Sequence, residues 1–152
     1  MQMTAENLAK ARRRMFYIYI LYALQGRRYA VRREWLEDYF IPLTLLALKK
    51  YGMKMLDIER DHRLWPGLYD TLGEAESLEI IKSHGHASGM FTFETDTSRL
   101  LKVVSTADKC FKKSERPIVE RAAKDVVKLY LGGMSYKHAE LLYKEEPEPS
   151  VI

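Results

Sequence analysis

Residues 15–24 read MFYIYILYAL and are apolar on every side of a helix. A helix that is apolar all round is buried on most of its surface. Upstream, Thr4 can cap and Ala5 and Leu8 begin the periodic run, while Gly26 stops it, so the pattern predicts a first helix over residues 4–25. Residues 32–52 predict a second helical stretch with a break. Pro42 lacks an amide donor, which places a kink or restart near Phe40–Ile41. The restart PLTLLALKKYG puts Leu43, Leu46, Ala47 and Lys50 on one face, with Gly52 as a stop.

Further along, KMLDIE (54–59) alternates like a short strand, and residues 61–67 read as loop. Pro66 suits the first turn of a helix running to about Glu76. Two β-type runs, 78–83 and 90–95, flank HGHASG and predict a hairpin. Asp96 or Thr97 can cap a helix over 98–112. Ser114 and Pro117 open a strong helix over 118–131, where Ile118, Ala122, Val126, Leu129 and Tyr130 keep near-helical spacing. Gly132-Gly133 ends it, Ser135 caps a last helix to about Lys144, and EEPEPSVI follows as a tail.

Helix, turn, helix, then a later helix and a hairpin is the order of winged-helix proteins. The expected architecture is mainly α with a small β-hairpin, a single compact domain that is loosely winged-helix-like. It would span 1–146, with 147–152 as a tail. At 152 residues the chain suits one domain with a real core. The single cysteine, Cys110, excludes an intramolecular disulfide framework. The opening MQMTAENLAKARRR has no apolar signal core, which implies a cytoplasmic protein. The apolar run at 15–24 is shorter than the roughly 20 residues that a membrane span needs. Its flanking arginines fit a buried helix whose cations reach for water.

Charge is uneven. Residues 1–63 hold 13 Lys/Arg against 7 Asp/Glu, residues 64–100 hold 2 against 6, and residues 101–152 hold 10 against 8. A basic N-terminal half beside an acidic middle permits a nucleic-acid or an acidic protein partner.

Three stretches resemble the Panacea family of small, phage-associated, antitoxin-like proteins. ILYALQG is similar to that family's early leucine- and aromatic-rich helix. WPGLYDTL is similar to its central turn and tyrosine-bearing helix, with Pro66-Gly67 where the family has Gly-Pro. DVVKLYLGGMSYKHAELLYKEEPEPSVI is similar to its closing helix, glycine turn, capped helix and proline-containing tail. The resemblance implies a protein that neutralises or delivers a partner, such as a toxin, and carries no enzymatic activity.

The residues themselves offer two binding chemistries. Arg12, Arg13, Arg14, Arg27, Arg28, Arg32 and Arg33 gather near the ends of the first two helices, where phosphate contacts arise in DNA-binding domains. Arg32 and Arg33 are expected in a first helical turn, whose free amides also favour anions. A recognition helix is harder to find. PLTLLALKKY offers Thr44, Lys49, Lys50 and Tyr51, while PGLYDTLGEAE carries Asp70, Glu74 and Glu76 and would be repelled by phosphates. KLYLGGMSYKHAELLYK has a helix-turn-helix outline, but no third helix follows, so a closing helical hairpin is the better reading. Against the arginines stand Tyr17, Tyr19, Tyr22, Tyr29, Trp35 and Tyr39. These are core candidates, and they are also residue types enriched at protein interfaces.

Other chemistry is thinly represented. His84 and His86 sit in a glycine-bearing turn without the four nitrogen or sulfur ligands of structural zinc. Cys110 lies at the end of an apolar helix turn with no histidine–carboxylate pair nearby in sequence, which marks a packed thiol rather than a nucleophile. No phosphate loop, nucleophile elbow or metalloprotease motif is present, and no cofactor is expected. The leading expectation is a non-enzymatic protein that masks or recruits a protein partner through its arginine- and aromatic-rich half. The interface candidates are Arg12, Arg13, Arg27, Arg28, Arg32, Arg33, Trp35, Lys49 and Lys50. The alternative is a winged-helix transcription regulator that binds double-stranded DNA through Arg27, Arg28, Arg32 and Arg33. A homodimer, with 15–24 in its seam, would favour the alternative, because paired half-sites need a two-fold protein.

Overall fold

Thr4 holds the start of the chain's longest helix: its hydroxyl accepts from the Asn7 amide at 3.1 Å. The computed structural model describes residues 4–25, 31–53, 65–84, 89–93, 98–105 and 110–144. Helix α1 (Ala5–Leu24) is the centre of the core, with every side chain from Met15 to Leu21 buried, and Leu24 as well. That burial on all sides follows from its apolar circumference. Helices α4 (Leu68–Ser77), α5 (Ser98–Ser105) and α6 (Arg116–Leu131) pack around it.

Pro42 does not break the second helix. Helix α2 (Arg33–Trp35) runs through a π-helical turn, Leu36–Phe40, into α3 (Ile41–Lys50) without leaving helical backbone geometry. The Ile41 amide reaches the Leu36 carbonyl, five residues back. This wide turn sits just ahead of the ring that a regular helix would crowd, so the chain bulges where a break was expected. The π-turn also presents Tyr39 and Phe40 to the Tyr130 ring, at 5.3 and 5.0 Å between centroids. Gly52 ends the helix with a φ of +87°, as its position predicts.

The hairpin is shorter than the sequence pattern suggests, and it gains a third strand. β2 (Ile81–Ser83) and β3 (Met90–Phe93) pair antiparallel with Ile81 opposite Phe93. Leu78 and Glu79 form a turn before β2 rather than part of it. On the other side of β3 lies β1 (Val31–Arg32), with Val31 opposite Phe91 and Arg32 opposite Met90. The sheet order is therefore β1-β3-β2. Arg32 is a strand residue and not a first-turn helical one, because its backbone is extended (φ −88°, ψ 137°) to meet β3.

Of the predicted helix over 98–112, the described residues hold α5 (Ser98–Ser105), and Cys110 lies in a turn. That turn is closed by the Glu115 side chain, which accepts the Lys112 amide at 2.8 Å before α6 begins. The last helix, α7 (Tyr136–Lys144), folds back on α3 after the Gly132-Gly133 turn, with the Ser135 hydroxyl accepting from the His138 amide. Two buried polar side chains, Thr44 and Thr71, both donate to the carbonyl four residues back, at 2.5 and 2.8 Å. The core thus holds their hydroxyls without an unmet donor. The strand expected at 54–59, the loop over 61–64, the cap at Asp96 or Thr97 and the tail lie outside the described residues. No described helix is long and apolar enough to cross a membrane.

Candidate interaction surface

Among the described residues, the arginines do not form one surface. Arg12 faces inward to the turn before α6. Its guanidinium lies 5.0 Å from the Phe111 ring centroid, 3.4 Å from the Cys110 carbonyl and 3.5 Å from Glu115 Oε1. It holds that turn onto α1 and is a fold-stabilising residue. Arg14 pairs with Glu74 of α4. Arg13 and Lys10 line the same groove, a cavity of about 350 Å³ shared with Asp70 and Thr71. The basic face of α1 is thus matched to the acidic face of α4, a pairing that the opposed charges of the two segments allow.

Arg33 sits at the other side of α4. Its guanidinium lies 4.9 Å from the Tyr69 ring centroid, and its Nε is 3.5 Å from Glu37 Oε1. The same Glu37 oxygen accepts from the Tyr69 hydroxyl at 3.2 Å. Burial, then the Glu37 charge, raises the Tyr69 pKa above the ordinary tyrosine value, with Arg33 opposing. Arg32 is exposed on the edge strand beside it.

Trp35 and the two lysines belong to a third region. The half-buried Trp35 ring packs 5.1 Å from Tyr130, joining Tyr39 and Phe40 in one aromatic cluster. Lys50 donates to the Leu142 carbonyl at 2.8 Å, near the end of α7, where a cation is favoured. Lys49 is exposed. Arg27 and Arg28 lie outside the described residues. Of the predicted interface, then, Arg12, Trp35 and Lys50 secure the fold. Arg33 and Arg13 flank α4, Arg32 is exposed on β1, and Lys49 stands apart on α3.

Sequence reading missed the polar ties beneath α7. Tyr51 donates to Asp125 Oδ2 at 2.7 Å, and the Arg121 guanidinium lies 4.7 Å from the Tyr51 ring. Burial first, then the Asp125 hydrogen bond, raises the Tyr51 pKa. Burial first, then the Tyr51 and Asp125 charges, raises that of Tyr143. Tyr39 donates to the Met134 carbonyl at 2.8 Å, tying the π-turn to the start of the last hairpin. None of these pairs is close in sequence, so no local pattern announces them.

Of the two histidines in the hairpin turn, only His84 is among the described residues. His84 Nε2 lies 2.8 Å from Thr92 Oγ1 across the hairpin, and His86 is outside the described residues. Among the described residues no group of three or more His, Cys, Asp or Glu could hold a metal ion. Apolar surface is gathered elsewhere: Leu131, Leu141 and Leu142 are 44%, 57% and 43% exposed around the Gly132-Gly133 turn. No protein-family model, curated protein or solved structure matches the chain.

Proposed function

We propose that this chain is a non-enzymatic, antitoxin-like regulator that works by binding a protein partner. The carrying observation is the charge of α4. In a winged-helix arrangement the helix before the hairpin enters the major groove. Here that helix bears Asp70, Glu74 and Glu76, which phosphates would repel, and the nearest arginines already face Glu74 and Glu37. The exposed leucines at the α6–α7 turn add an apolar patch suited to a protein surface. The Panacea resemblance fits a partner that is masked or delivered, and a cytoplasmic setting fits that role.

One observation favours the DNA-binding alternative: helix, strand, helix, helix, hairpin with β1 beside β3 is a winged-helix order. Arg32, exposed on β1, would then join Arg27 and Arg28 on phosphates. Salt separates the two readings. Binding to duplex DNA through several phosphates falls by orders of magnitude between about 50 and 200 mM salt. The protein-binding reading expects no shift of duplex DNA at either salt, and a partner complex that survives the higher one but is lost with Leu141→Lys. A DNA complex that dissolves with salt and with Arg32→Glu would replace it with the regulator.

A further inference from the structure

The second charged cavity lies between α4 and the β2–β3 hairpin. It has a volume of about 190 Å³. Leu72, Ile81 and Phe91 supply apolar walls, Arg33 stands at the rim, and Glu76 and Ser83 complete the lining. Several features suggest a built site. Arg33 Nε is buried and has no hydrogen-bond partner of good geometry; Glu37 lies 3.5 Å away as an ion-pair contact only. The side chain as a whole is 36% exposed and lines the cavity. Glu76 accepts from the Ser83 hydroxyl at 3.2 Å, which leaves further acceptor capacity on its carboxylate.

Gly73 is the independent observation. It lies within α4, where glycine weakens a helix relative to alanine. Its backbone has no positive φ, and a Cβ built on it would meet nothing within 4 Å. Neither conformation nor packing inside this fold calls for glycine. Gly73 is exposed and lines the cavity, so a larger side chain there would have room to lie over it.

Size and charge narrow the ligand. The volume is below the roughly 300 Å³ at which sites for drug-sized molecules begin, which excludes a nucleotide. One cation and one anion over apolar walls match a zwitterion with an apolar side chain. We propose that this cavity binds a free apolar amino acid of leucine size, its carboxylate on Arg33, its ammonium on Glu76 and its side chain against Leu72, Ile81 and Phe91. The site stands apart from the apolar turn of α6–α7, so it does not depend on the protein-binding reading.

Titration of the full chain with L-leucine, followed through the amide resonances of Gly73 and Gly89 and the Arg33 Nε–H resonance, tests it. Saturable shifts are expected below about 10 mM. N-acetyl-leucine lacks the ammonium, and leucinamide lacks the carboxylate; each should bind at least about tenfold more weakly. Glycine, with no side chain, should not bind. Gly73→Leu should fill the cavity and abolish the leucine shifts, and Arg33→Gln should weaken them at least about tenfold, with the remaining spectrum confirming the fold in each case. No shift with L-leucine would overturn the proposal, as would leucine binding unchanged in a folded Gly73→Leu. Equal binding of leucinamide would overturn the free amino acid in favour of a peptide N-terminus. Equal binding of N-acetyl-leucine would do so in favour of a C-terminal residue.

Discussion

Arg14 and Glu74 meet across 60 positions of sequence, the first on the most basic stretch of α1 and the second on the acidic α4. Their side chains are 46% and 41% exposed, so water screens the pair and its worth is set by geometry and salt. The larger effect is on what the surface can attract. Each of these charges is partly cancelled by its neighbour, and the groove between the helices offers no single-signed field.

Charge reversal at Arg14 tests the pairing. Arg14→Glu places two carboxylates together and should lower stability by up to about 1 kcal/mol, and Arg14→Glu with Glu74→Arg should recover most of it. Urea unfolding at low salt measures both. A double variant no more stable than the single would show that the two side chains do not interact.

The tyrosines under α7 predict a response to alkaline pH. Tyr51 and Tyr143 both have pKa values raised above the ordinary 10.0, chiefly by burial. In the unfolded chain they lose protons near pH 10 while the folded chain keeps them. Their contribution is therefore complete below pH 10 and is lost as pH rises through the folded values. The urea midpoint should hold steady from about pH 8 to 9.5 and then fall, and Tyr143→Phe should make the fall shallower. An unchanged slope in Tyr143→Phe would remove that residue from the account.

Gly67 precedes α4 with a φ of +76°, and a Cβ there would touch nothing. The cost of substitution is thus conformational alone. Gly67→Ala should destabilise by about 1–2 kcal/mol, and Gly67→Asn by less, since asparagine tolerates this region better. Thermal melts of the two variants check the order, and equal melting temperatures would refute it.

Ile20 is 1% exposed in the middle of α1. Ile20→Ala should cost about 2–5 kcal/mol, a large share of the roughly 5–15 that holds a domain together. Denaturant unfolding would read this directly, and a loss under 1 kcal/mol would mean that the site collapses around the smaller residue.

Much of the helical plan is legible because its signals are local. Thr4, Gly52 and Ser135 mark helix ends with their own backbone chemistry, and MFYIYILYAL shows its burial by having no polar side. The departures have distant causes. Val31–Arg32 is too short to show alternation and is a strand only because Phe91 and Met90 lie beside it. Pro42 announces a disturbance, but the bulge it takes sets Tyr39 and Phe40 against Tyr130, a partner about ninety positions away that no local pattern shows. Phe111 continues the apolar spacing of α5, yet it is buried from a turn closed by Arg12, 98 positions or more away. The arginines were recognisable as interface residue types. Their partners were not, because Glu74 and Glu115 come from remote segments.

The place of α1 also has a consequence for synthesis. Its apolar half leaves the ribosome well before α6, which covers one side of it and ends only at Leu131. At about 5–20 residues per second, the hundred or so residues between them take on the order of 5–20 s. For that interval α4 and then α5 can cover the helix, but the side that α6 takes stays open. Apolar surface left open in this way is what chaperones cover, and a stall before α6 would leave that side of the helix without its native partner.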